Sequence, residues 1–268
     1  MRFSALMSHQ VRRYRAVLVV LALGLALFLY ISSMIATSPE MTRGGALEAM
    51  LALVPRGMLK VLGIDPATMT TAGLLSLSYV HPFVLLAAGV WAARIPSGSL
   101  AGEVGAGTMD LVASRPVARW QIVASAAITL YAGMAILMTA VWSGMAIALG
   151  DRGELDISPF RFLPLAAAQF LLFAALGSLA LLCSSLARHG GEALSWSVGI
   201  MAVMFALDFI SRSRESLAFL RWATLFTWVK PQEIVATGSL PAGTVGVLLL
   251  VCVAATGGAL VAFGRRDL

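Results

Sequence analysis

Residues Phe162–Ala187 read FLPLAAAQFLLFAALGSLALLCSSLA, a long run without one charged side chain. A helix needs about 20 mostly apolar residues to cross the hydrocarbon core of a bilayer. The run meets that length and lacks the short alternating pattern of membrane β-strands. It therefore predicts a transmembrane helix, because a helix satisfies its own backbone hydrogen bonds within lipid.

Five further apolar runs have the same character. Hydrophobic residues make up 59% of the 268-residue chain and charged residues only 12%, which excludes an ordinary soluble domain. We predict an all-α integral membrane protein in which residues 1–268 form a single transmembrane domain. The six predicted spans are Ala16–Ala36, Thr71–Ala93, Gln121–Leu149, Phe162–Ala187, Ala193–Ile210 and Thr244–Phe263.

The basic residues give a prediction of orientation. Arg2, Arg12, Arg13 and Arg15 precede the first span and favour a cytoplasmic N-terminus, and six spans return the chain to the same side. The first apolar run is too long for a cleaved signal peptide, so we expect a retained helix. The net charge of +6 suits contact with anionic lipid headgroups. Because the basic residues are scattered over both sides, no nucleic-acid partner is expected.

The connections on the opposite side are expected to form short helices at the membrane surface. In Gly45–Ile64, apolar residues recur at helical spacing, which is typical of an amphipathic interfacial helix. Leu217–Trp228 combines aromatic residues with arginines, as interfacial segments do. Pro231 is expected to start a further short helix that ends at Gly238.

Two positions within the spans are candidates for a transport path. His81 precedes Pro82 in the second span, where the proline predicts a kink. Asp208 is the one acidic residue in a predicted span, and intramembrane carboxylates are functional candidates. Arg212 stands four residues later, so the alternative for Asp208 is an ion pair within the helix.

The sequence contains no ATP site. A P-loop needs a lysine after a Gly-x-x-x-x-Gly run, and the only lysines, Lys60 and Lys230, follow leucine and valine. Ser184, Ser185 and His189 stand close together but lack an obvious acid for a hydrolase triad. The two cysteines lie in separate spans without partners at metal spacing. We expect no catalytic residue, cofactor or metal in this chain.

The Gly-rich stretch between spans two and three, Ile95–Trp120, reads IPSGSLAGEVGAGTMDLVASRPVARW. We expect it on the cytoplasmic side as a compact element, in which Gly102, Gly105 and Gly107 permit a tight turn. Thr108 is suited to cap a short helix.

Asp110 would lie in the first turn of that helix, at the favourable end of its dipole. Leu111 would give it an apolar side. Pro116 would end it before Arg119 anchors span three at the interface.

The same stretch resembles a known family. Glu103, Gly107-Thr108-Met109-Asp110-Leu111-Val112 and Pro116-Val117-Ala118-Arg119 are similar to the Glu…Gly-Thr-Leu-Glu-Leu-Leu…Pro-Val-Ser-Arg pattern of type II ABC exporter permeases. The resemblance extends to the basic N-terminal stretch and to the closing Gly264-Arg265-Arg266-Asp267-Leu268. The chain departs from the pattern at Gly105-Ala106, where charged residues are usual, and at Ala118, where serine is common.

The resemblance implies a six-helix permease subunit of an exporter in the bacterial inner membrane, with both termini in the cytoplasm. Such a subunit pairs as a homodimer or with a similar permease. Two cytoplasmic ATPase subunits, which bind ATP and Mg²⁺, would drive it. Ile95–Trp120 would be the coupling element on the ATPase, with a coupling helix and contact residues Glu103, Gly107, Thr108, Asp110, Leu111, Pro116 and Arg119.

Two other functions remain open at this point. A gradient-driven secondary transporter would need inverted repeats and ionisable residues near the midplane. A non-transporting membrane-assembly subunit would need neither. The spans are apolar with few polar side chains, which suits an amphipathic or lipidic cargo.

Overall fold

The computed structural model describes residues 3–39, 70–107, 118–152, 157–213 and 215–266. Within these ranges the chain folds into α-helices joined by short 3₁₀ turns. The turns are Ser78–Val80, Pro159–Phe162, Glu215–Ala223 and Phe226–Trp228. The α-helices are α1 Phe3–Ala36, α2 Thr71–Leu77, α3 Pro82–Ser99, α4 Ala101–Gly105, α5 Arg119–Arg152, α6 Leu163–Leu186, α7 Gly190–Ser213, α8 Pro231–Thr237 and α9 Ala242–Gly264.

In the described part of the chain, six helical stretches are long and apolar enough to cross a membrane. Each overlaps one predicted run, so the six-helix membrane fold is confirmed. The largest difference is at the start, because α1 begins at Phe3 and the basic residues Arg12, Arg13 and Arg15 lie on the helix itself. Spans one to six are Leu6–Ala36, Thr71–Ser99, Arg119–Arg152, Pro159–Leu186, Gly190–Ser213 and Ala242–Gly264.

Span two is interrupted at His81, whereas the sequence predicts a kink. The backbone of His81 is extended, with ψ at 139°, and Pro82 is the first residue of a new helix. A proline fits there because the first helical amide has no partner within the helix. The Nδ1 atom of His81 accepts a hydrogen bond from the amide of Phe83 at 3.2 Å. The histidine therefore caps α3.

Spans three and four form the centre of the bundle. Span four contacts spans two, three, five and six, and span one packs mainly on span three. In the most apolar part of span four 72% of the residues are buried, against 11% in span five. The exposed faces of spans one, five and six carry large apolar side chains such as Leu23, Phe209 and Val253, which suits contact with lipid.

Glycines allow the closest helix contacts. A methyl group added at Gly144 on span three would lie 2.8 Å from the carbonyl carbon of Ala26 on span one. At Gly133 it would meet the Trp91 indole, whose Nε1 donates to the carbonyl of Leu130 at 3.0 Å. Small residues at such contacts are typical of membrane helix pairs, because they let backbones approach.

The elements between spans five and six follow the predicted pattern. Within the segment Leu217–Trp228, the residues up to Ala223 and those from Phe226 on form 3₁₀ turns. The α8 helix begins at Pro231 and ends at Gly238, whose φ of 64° is left-handed. Arg161 donates to the carbonyl of Val235 at 2.6 Å and so holds the C-terminal end of α8. The predicted helices in Gly45–Ile64 lie outside the described residues.

Candidate coupling site at the α4 end

The stretch Ile95–Trp120 begins as a buried helix, because the last helix of span two continues to Ser99 and so passes its predicted end at Ala93. Helix α3 continues to Ser99, and α4 follows after the single residue Leu100. Every residue from Ile95 to Ala101 is buried. Leu100 packs in an apolar cluster with Ile122, Leu181 and Phe263, so the start of the stretch belongs to the core of the bundle.

The predicted turn at three glycines is wrong for two of them. Gly102 and Gly105 lie within α4. Only Gly107 has a left-handed backbone, with φ of 68°, where a glycine costs little. Gly102 and Gly105 instead lie at close contacts, since added methyl groups would be 3.1 Å from the Ser97 carbonyl oxygen and 3.1 Å from Nδ1 of His189.

Ser184 on span four provides the cap that α4 lacks locally. The N-cap position is Leu100, which has no side-chain acceptor, so the first amides of α4 need another partner. The hydroxyl of Ser184 accepts a hydrogen bond from the amide of Ala101 at 3.1 Å and donates to the carbonyl of Pro96 at 2.7 Å. The sequence does not indicate this role, because the capping serine and the helix that it caps lie more than 80 residues apart.

Span one also contacts α4 and the end of α3. Arg13 on α1 forms an ion pair with Glu103 on α4. Four residues earlier, Ser99 donates a hydrogen bond to Oε1 of the buried Gln10 at 2.9 Å. The two contacts lie one turn apart on α1 and tie it to the junction between α3 and α4.

The start of span five touches α4 from a third direction. A methyl group at Gly190, the first residue of α7, would lie 3.0 Å from Cα of Gly102 and 3.2 Å from the carbonyl oxygen of Ser97. Backbone therefore packs on backbone here. Any movement of α4 toward α7 must displace span five.

Arg119 closes the same end of the bundle. Its guanidinium donates to the carbonyl of Gly264 at 3.2 Å and to that of Arg266. Arg266 in turn donates to the carbonyl of Ser185 on span four at 3.4 Å. The start of span three, the end of span six and the end of span four thus meet, and basic side chains pair with the exposed helix C-terminal carbonyls.

The structure brings together part of the predicted coupling set. Glu103, Gly107 and Arg119 lie in the described residues at this end of the bundle, which we call the α4 end. The other predicted contact residues, Thr108, Asp110, Leu111 and Pro116, lie outside the described residues.

The two transport-path candidates lie at the opposite end, which we call the far end. Arg212 donates to both carboxylate oxygens of Asp208, at 2.9 and 3.2 Å, so the alternative ion pair is present. Thr227 donates a third hydrogen bond to Asp208 at 2.7 Å. The ring of His81 lies 4.7 Å from that of Phe28. The two candidate side chains therefore have separate partners.

The family model described as ABC-2 family transporter protein matches residues 72–268. This range contains five of the six spans and the whole of the stretch Ile95–Trp120. The chain belongs to the ABC-2 transporter family. A comparison with curated proteins gave no match.

As an ABC-2 permease, the chain is the membrane component of an ABC transporter and not itself a catalytic subunit. Permeases of this family work with ABC ATPase subunits. The six spans make it a multi-pass membrane protein. Among the described residues, no group of three His, Cys, Asp or Glu side chains is placed to hold a metal ion.

Proposed function

We propose that this permease is the membrane subunit of an ATP-driven exporter. Its α4 end contacts the ATPase and transmits the conformational change of the ATPase to the spans. The observation that carries the proposal is the attachment of α4 to three spans at once. Ser184 ties it to span four, Arg13 to span one and Gly190 to span five. A push on α4 therefore reaches most of the bundle through direct contacts.

The contact with the ATPase follows from this arrangement and from the sequence. Glu103 and Arg119 have partners within the chain, so we assign them first to holding the element in place. Thr108, Asp110 and Leu111 stand between these two anchors in the sequence, and we assign them to the surface that meets the ATPase. Closure of two ATPase subunits around ATP would then move the paired permeases between their inward-open and outward-facing states.

Location and assembly are part of the proposal. The α4 end is assigned to the cytoplasm, with both termini there, because Arg13 in the arginine-rich start of α1 pairs with Glu103 at this end and basic flanks favour the cytoplasmic side. The α4 end must face the cytoplasm for ATP to drive it. A bacterial inner membrane, two ATPase subunits, and a second permease as a homodimer or close relative complete the assembly.

The experiment that tests coupling uses the permease co-expressed and purified with its ABC ATPase. Asp110→Lys should lower both the recovery of the complex and its ATP hydrolysis, while insertion into the membrane is unchanged. The matched control is Asp151→Lys, which reverses an exposed acid near the far end of span three and should leave both quantities at the wild-type level. Equal ATP hydrolysis in the two variants would contradict the assignment.

A further inference from the structure

A cavity of about 470 Å³ lies at the far end, between the interruption of span two, span four and span five. Its volume is in the range of sites for small organic ligands. Its wall is largely apolar and includes Leu85, Leu172 and Phe205, while Gln169 and Gln232 supply polar groups. The site is separate from the α4 end and uses residues that the coupling proposal does not.

The charged groups of this cavity are already balanced. Asp208 is paired with Arg212, and Lys230 lies 2.9 Å from Glu233. Each positive charge in the lining thus has a negative partner. A ligand with a net charge would find no uncompensated group of opposite sign, and desolvating that charge would be costly.

Two polar atoms of the lining lack partners. Gln169 is fully buried, and its Nε2 donates to the carbonyl of Tyr79 at 3.2 Å, but its Oε1 has no hydrogen-bond partner. The Nε2 of Gln232 is also buried without one. Buried polar atoms are normally satisfied. One unmet acceptor and one unmet donor in a cavity match a group that both donates and accepts.

We propose that this cavity binds the uncharged, hydroxyl-bearing head of an amphipathic molecule. The hydroxyl groups donate to Oε1 of Gln169 and accept from Nε2 of Gln232. The apolar chain of the ligand extends over Phe205 and Phe209 of span five, which line the cavity and are about half exposed. A monoacylglycerol is the simplest molecule of this class.

The test uses the purified full chain in phosphatidylcholine nanodiscs, without an ATPase, so that its outcome does not depend on coupling. The probe is a monooleoylglycerol with a diazirine near the head. We expect labelling of peptides from spans four and five that is competed by excess monooleoylglycerol. A matched probe with a phosphate head, a diazirine-bearing lysophosphatidic acid, should label them weakly.

Three variants test separately whether labelling depends on the hydrogen bond to Gln169 and on the open volume of the cavity. Gln169→Leu should reduce the competed labelling about fivefold, the effect of one hydrogen bond. Leu85→Trp keeps both glutamines but fills the cavity, so it should abolish the competed labelling. Thr129→Val is the control, because it removes a buried hydroxyl from span three whose bond lies within its own helix, and labelling should remain.

Two results would overturn the proposal. Labelling by the phosphate probe at or above the level of the monoacylglycerol would show that the head is not selected for neutrality. Labelling that excess monooleoylglycerol does not compete, or that persists in the Leu85→Trp variant, would show that the probe reports bulk lipid and not this cavity.

Discussion

The hydroxyl of Ser184 on span four donates a hydrogen bond to the carbonyl of Pro96 at the end of span two, at 2.7 Å. The same oxygen accepts from the amide of Ala101, so a side chain from the most buried span bridges the junction between α3 and α4. A capping side chain next to α4 in the sequence would stabilise the helix alone. Because Ser184 lies on span four, its hydrogen bonds also fix the position of α4 relative to the bundle.

The first prediction concerns this bridge. Ser184→Ala leaves the buried amide of Ala101 without its acceptor, which costs about 1–3 kcal/mol of stability. We expect a lower melting temperature and a reduced ATP hydrolysis rate in the complex with the ATPase.

Ser185→Ala is the matched control for that measurement. The Ser185 hydroxyl bonds only to the carbonyl of Leu182 within its own helix, at 2.7 Å, so its loss should change little. A Ser184→Ala protein as stable and active as Ser185→Ala would show that the bridge is incidental.

The spans could be predicted from the sequence because the thickness of the bilayer sets the length of an apolar run, whatever the neighbours are. The start of α8 at Pro231 and its end before Gly238 could also be predicted, since the backbone preferences of proline and glycine are local. The sequence predicts a kink at His81-Pro82, whereas the helix ends there and a new one begins. Whether a helix bends or restarts at a proline depends on packing that the sequence alone does not display.

The contacts of the α4 end could not be predicted from the sequence. Residues 97–102 read SGSLAG, in which four of the six residues are serine or glycine, and such a run is typical of a loop. It is buried because small side chains let spans one, four and five approach, which hydropathy does not register. Arg13 and Glu103 stand 90 residues apart, and no local pattern joins them.

The second prediction tests close packing between spans one and three. Gly144→Ala places a methyl group 2.8 Å from the Ala26 carbonyl carbon, and backbone cannot easily move away. Overpacking of this kind costs about 1–3 kcal/mol, so the melting temperature of the purified permease should fall.

Gly150→Ala on the same helix provides the comparison, because no atom of the described residues lies within 4 Å of the added methyl group there. It should match or slightly exceed the wild-type stability, since alanine favours a helix over glycine. Equal melting temperatures for the two variants would mean that the spans do not pack as described.

The third prediction asks how Glu103 acts. Glu103→Arg places two arginines together on α1 and α4 and should uncouple ATP hydrolysis from the permease. The double variant Arg13→Glu with Glu103→Arg restores an ion pair of reversed polarity. We expect it to recover most of the lost coupling, because the pair positions α4. No recovery in the double variant would instead indicate that Glu103 itself touches the ATPase.

The most direct test of the central claim is site-specific photo-crosslinking in native membranes. A benzophenone amino acid at Met109, within the proposed contact surface, should form an adduct that mass spectrometry identifies as an ABC ATPase. The same amino acid at Trp222, which is 81% exposed at the far end, should give no such adduct. Absence of an ATPase adduct at Met109, or equal adducts at both positions, would contradict the account of the α4 end as the coupling site.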